Sequence, residues 1–131
     1  MPDITALYAG IIAILFFALS LLVSLARGKT NIVMGHGDDA ALRLSIRRFG
    51  NLSEYGAMAV LVLLLLELTG HPDRWLHIYG IALVLFRLLH PVVLFAHQDA
   101  SKGLQAGRFI AAAGTGTLLL AGGIALVLHA L

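Results

Sequence analysis

The sequence predicts an all-α integral membrane protein, a bundle of four transmembrane helices. Composition is the first observation: the 131 residues are 60% hydrophobic and 12% charged, where a soluble domain carries about 25% charged residues. Mean hydropathy is +0.93. Nine Lys and Arg with seven Asp and Glu cannot cover the surface that a soluble chain of this size exposes. The second observation is length, because four segments meet or approach the roughly 20 apolar residues that cross a hydrocarbon core of about 30 Å. The third is that the second segment is half polar, and lipid does not solvate such a helix.

The first helix is expected from Thr5 to Ala26, a stretch without a charge that ends at Arg27. The second has a clean apolar run only from Gly56 to Leu66, too short to span alone. Upstream, residues 40–55 read as helix and carry Arg43, Arg47, Arg48, Asn51 and Glu54. Asp38 and Asp39 stand where an N-cap and first-turn acids belong, so one helix is read from about Asp39 to Leu68. The third runs from Trp75 to about Ala96 and contains Arg87, His90 and Pro91, where the proline kinks the helix and frees the Arg87 carbonyl. The fourth runs from about Phe109 to Leu131. Residues 28–38 and 98–107 read as loops, and Gly70-His71-Pro72-Asp73 as a tight hairpin. Residues 1–131 form a single domain without internal repeats.

Several functions fall away at this stage. The absence of cysteine excludes disulfide frameworks, thiolate nucleophiles and Cys-ligated metals. The histidines have no metal-binding spacing, so no metal is expected. No basic face forms, so nucleic acid is not a partner. Met1-Pro2-Asp3 has no basic lead-in, so no cleavable signal peptide is read. Arg27, Lys29, Arg43, Arg47, Arg48, Lys102 and Arg108 flank the first and third loops, against Arg74 alone on the other side. Those loops are therefore expected to be cytoplasmic, with both termini on the non-cytoplasmic side. A bacterial inner membrane is the expected location.

Helical spacing places Arg47, Asn51, Glu54 and Met58 on one stripe and Arg87, His90, Leu94 and His97 on another. Helices joined by a short hairpin are neighbours, so both stripes approach the cytoplasmic end at similar depth. Arginine forks bind carboxylates bidentately, and Glu54 suits an ammonium group. Such a pocket fits a small ligand with several carboxylates and one amine. Asn51 and Glu54 read equally well as glue to Arg47 or Arg87 across the bundle. Arg43, Arg48, Lys29 and Lys102 read as interfacial anchors, His36, His71, His77 and His129 as loop or interface residues, and Glu67 as a residue of the far interface. Arg87, deep inside a spanning helix, reads as functional.

The stretch Arg47-Arg48-Phe49-Gly50-Asn51-Leu52-Ser53-Glu54-Tyr55, with the apolar run after it, resembles the second-helix signature of the MAPEG family, the membrane-associated proteins of eicosanoid and glutathione metabolism. Arg87-x-x-His90 is similar to a third-helix motif of its prostaglandin E synthase members. The likeness extends to length, helix number, polar first loop and tight second hairpin. It implies a homotrimer with glutathione, as cosubstrate, bound between subunits and open to the cytoplasm. By motif match it implies that Arg47, Asn51, Glu54, Tyr55, Arg87 and His90 bind glutathione, with Arg27 near the site. It further implies that Arg108 stabilises the thiolate as the catalytic residue. Leu94 stands where several of the family's enzymes have Tyr, and Gly56-Ala57 where an aromatic-Pro pair is frequent.

The chemistry implied is a transferase or peroxidase joining glutathione thiolate to lipophilic electrophiles from the bilayer. A free thiol has a pKa of about 8.5, and an adjacent arginine lowers it by about 1–3. Arg108, read at the start of the fourth helix, would add amide donors and a positive dipole end. The alternatives are a non-catalytic lipid-binding member of the family and a small four-helix transporter, although the first helix lacks the membrane-embedded Glu of such exporters. Three copies around an axis would bury the polar stripes between subunits, with Ala111, Ala112, Ala113, Gly114 and Gly116 allowing close approach of a neighbour.

Overall fold

The computed structural model describes residues 1–94 and 101–131. Four helices follow in order: α1 (Asp3–Thr30), α2 (Ala40–Leu68), α3 (Asp73–Val93) and α4 (Lys102–Ala130). Each is long and apolar enough to cross a membrane. At about 1.5 Å per residue, α1, α2 and α4 measure about 42–44 Å and α3 about 32 Å. The short third helix matches a hydrocarbon core, and the other three overshoot it.

The overshoot lies at one end. Glu67, near the end of α2, accepts hydrogen bonds from the Ile4 and Thr5 amides at 3.0 and 2.6 Å, so α1 begins where α2 finishes. A four-residue connection, Thr69 to Pro72, then starts α3 at the same level. At the other end Arg48 donates to the Leu94 carbonyl at 2.8 Å. The first eight residues of α2 therefore rise about 12 Å beyond the end of α3.

α2 and α3 form the central pair. α1 packs on both from one side and α4 from the other, and α1 and α4 do not touch among the described residues. Leu63, Leu83, Leu76 and Ala59 are buried at the centre. Phe17, Ile14, Leu85 and Phe109 point outward, as lipid-facing positions should. Close approach depends on glycine: a Cβ on Gly80 would overlap the Tyr8 ring, and one on Gly114 the Phe86 ring.

Several boundaries differ from the sequence-based expectation. α1 continues through Gly28 to Thr30 and stops at Asn31, whose φ of 55° is left-handed. Gly28 has open space around it and no neighbouring proline to break the helix. α4 begins at Lys102 rather than Phe109. Gly103 and Gly107 suggested a loop, yet Gly107 is glycine because Val93 lies 3.0 Å from where its Cβ would sit. α3 ends at Val93, short of Ala96. Pro91 lies in its last turn, where it cannot donate to the Arg87 carbonyl. Of the five small residues singled out on α4, Ala111 and Gly114 pack inside the subunit, and Ala112, Ala113 and Gly116 face out. Asp39 caps α2 as expected, accepting from the Leu42 amide at 2.6 Å. His97 falls outside the described residues.

Candidate functional site

Where α3 stops and α2 and α4 continue, a cavity of about 480 Å³ opens. Its polar lining is Arg43, Arg47, Asn51, His90 and Arg108, with His36 reaching in from the loop between α1 and α2. Among the described residues no lining residue is acidic, and Arg43, Arg47 and Arg108 make no ion pair or hydrogen bond. His90 is 5% exposed, lines this cavity and makes no hydrogen bond to another described residue. Three guanidinium groups without a counter-charge among the described residues raise the local potential, which favours an anion with more than one acidic group.

Arg87 lies behind this lining. It is 2% exposed and donates from Nη1 to Asn51 Oδ1 at 2.8 Å, and from Nη2 to the Ala111 carbonyl at 3.1 Å and Thr115 Oγ1 at 2.6 Å. One residue of α3 thereby ties α2 to α4. Its Nε is buried without a partner, and no carboxylate neutralises it among the described residues. A buried cation held by neutral acceptors is costly to place and hard to move.

Of the residues singled out from sequence, the fold brings Arg47, Asn51, His90 and Arg108 together around the cavity. It places Arg87 one layer away, and Glu54 and Tyr55 on the exposed outer face of α2. Arg27 is engaged elsewhere. Its Nη1 donates to the carbonyls of Ile32, Val33 and Gly35 at 3.0–3.1 Å, folding the connecting loop around itself. Arg108 is two turns inside α4 rather than at its start. Its own amide lies within the helix, so the dipole-end argument for it fails and the side chain alone remains.

Three residues read as bland have definite places. Arg43 and His36 line the cavity, and Arg48 closes the end of α3 through the Leu94 carbonyl. The i, i+4 spacing of Arg43 and Arg47, counted from the Asp39 cap, was a usable signal for the first. His36 carried none, because its position depends on the fold of a loop.

A bundle of four spanning helices with a cationic cavity at one end defines a small polytopic membrane protein. The MAPEG family model matches residues 5–128, and the chain belongs to that family. It is 34% identical over 87 residues to the inner membrane protein YecN of Escherichia coli K12, a match covering 66% of each chain, and equally to that of Escherichia coli O6:H1. The matched stretch thus spans just under two thirds of those relatives' length. No solved structure matches.

Proposed function

We propose that this protein is a glutathione-dependent enzyme of transferase or peroxidase type, acting on lipophilic electrophiles at the cytoplasmic face of a bacterial inner membrane. The observation that carries the reading is the cavity where Arg43, Arg47 and Arg108 stand with no acidic residue in the lining among the described residues. Glutathione brings two carboxylates and an ionisable thiol, and the arginine forks suit the former. Family membership supports the ligand. The four spans and the inner membrane relative support the location. Cations clustered at the cavity end orient that end toward the cytoplasm, with both termini outside.

Arg108 holds the thiolate. The thiol proton leaves to water, the sulfur lone pair forms the bond to the electrophilic carbon, and the leaving group departs with its electron pair. In peroxidase chemistry two glutathiones become the disulfide as a lipid hydroperoxide becomes an alcohol and water. Rate comes from holding thiolate and electrophile together at the boundary of two phases.

The working unit in this reading is a homotrimer. Glu54 lies near the middle of α2, exposed and without a partner among the described residues, and lipid does not accept a carboxylate at that depth. A neighbouring copy would cover it, bringing Glu54 and Tyr55 to a shared site where Glu54 takes the ligand's ammonium group. Titration of the detergent-purified protein with glutathione, followed by turnover of a model aryl halide, tests the reading. Binding with turnover is expected. No binding at millimolar ligand overturns it, and binding without turnover assigns the non-catalytic alternative. Mass measurement in detergent should give three copies.

A further inference from the structure

We infer that Arg87 is a positioning residue, which holds the Asn51 carboxamide so that its NH2 group, and not its carbonyl, faces the cavity. The inference rests on reading that cavity as an anion site. A guanidinium has donors only, so the Asn51 atom it meets at 2.8 Å is Oδ1. The amide orientation, ordinarily a matter of assignment, is here dictated by chemistry.

The partners of Arg87 on α4 are arranged with the same logic. Thr115 spends its proton on the Ala111 carbonyl at 3.0 Å, which leaves its oxygen to accept from Arg87 at 2.6 Å. The Ala111 carbonyl accepts from Arg87 as well. Held by both neighbouring helices, the guanidinium cannot swing toward the cavity without breaking these bonds. It does not line the cavity, whereas Asn51 does. Asn51 makes no other hydrogen bond among the described residues, so both Nδ2 protons are available to a ligand. A flipped amide would set donor against donor at Arg87 and turn an acceptor toward the anion. Arg87 thus makes a neutral residue act as one more donor beside Arg43, Arg47 and Arg108. The family resemblance implies that Arg87 touches glutathione itself, and the two roles predict different results.

The test uses the full chain in detergent with glutathione as titrant. Asn51→Asp keeps an acceptor for Arg87 but places a carboxylate where the NH2 group stood, and should weaken binding by about tenfold or more. Arg87→Lys still donates to Oδ1 and should keep affinity within a few-fold. Arg87→Met should lose about as much as Asn51→Leu, and the double variant little more than either. The chain has only two asparagines, Asn31 and Asn51, so 15N-asparagine labelling resolves the Asn51 side-chain amide. That signal should shift on adding glutathione in the wild type and in Arg87→Lys. If Arg87→Met does not fold, Asn51→Asp, Arg87→Lys and the amide signal still decide. Additive losses, a larger loss in Arg87→Lys than in Asn51→Leu, or an unmoved amide signal in a protein that binds would overturn the inference alone. Failure of the wild type to bind glutathione overturns the site reading beneath it.

Discussion

At the end of the bundle that carries both termini, most of the polar side chains named above find partners within the chain, although the Thr5 and Tyr79 hydroxyls are buried without one. Glu67 takes the first amides of α1, Tyr8 meets His77 at 2.9 Å, and Thr69 and His71 close the hairpin at 3.0 Å. At the opposite end the arginines divide. Arg27 and Arg48 are spent on backbone carbonyls, whereas Arg43, Arg47 and Arg108 surround a cavity with no acidic partner among the described residues. The contrast teaches how to sort polar residues in a membrane bundle. Those whose donors meet chain acceptors hold the fold, and those left facing a common space define what can enter it.

The sharpest way to break this comparison is at the closed end, where Gly80→Leu drives a side chain into the Tyr8 ring. It should lower stability by about 3 kcal/mol, read by thermal unfolding in detergent, and leave glutathione affinity per folded molecule unchanged. Arg108→Ala should do the reverse. Turnover of an aryl halide should fall about 10- to 100-fold, or about 1.4–2.7 kcal/mol, and the ultraviolet band of bound thiolate should fade while stability holds. An Arg108→Ala protein with full turnover would make that residue an anchor. Glu67→Ala removes the acceptor for two amides and should cost about 1–2 kcal/mol of stability with no change in affinity. The smallest effect belongs to Arg27→Ala. Its loop relaxes, His36 leaves the cavity, and affinity should drop by about 0.5–1 kcal/mol, measured by calorimetry, with a small fall in melting temperature because the three bonds lost hold only the loop.

Much of this was legible from the residues. Four spans, the Asp39 cap and the tight hairpin follow from apolar run length and turn chemistry, which are local. What stayed hidden depends on contacts between distant segments. Gly107 looks like a loop residue until Val93 is placed against it, and that error moved the start of α4 and the setting of Arg108 with it. Helical spacing put Arg87 and Asn51 on facing stripes, but not Glu54 on the outer surface, because a stripe can curve from the cavity rim onto the flank of the helix. The choice between glue and site for Asn51 turned out to be a false one. Its oxygen serves the first role, and in the reading proposed above its nitrogen would serve the second.

The carboxylate of Glu67 stands 63 residues along the chain from the Ile4 amide it receives. A ribosome delivers α1 to the membrane long before that carboxylate exists, so the leading amides of the first span wait at the interface, hydrated and unanchored. They are secured only when the second span has been threaded and its far end has surfaced beside them. The first two spans therefore carry their own latch, made by the last turn of α2 and independent of α3 and α4. Synthesis itself times the closure: the half of the bundle that contains α1 can be complete in the membrane while the residues that build the cavity roof from α4 are still being translated.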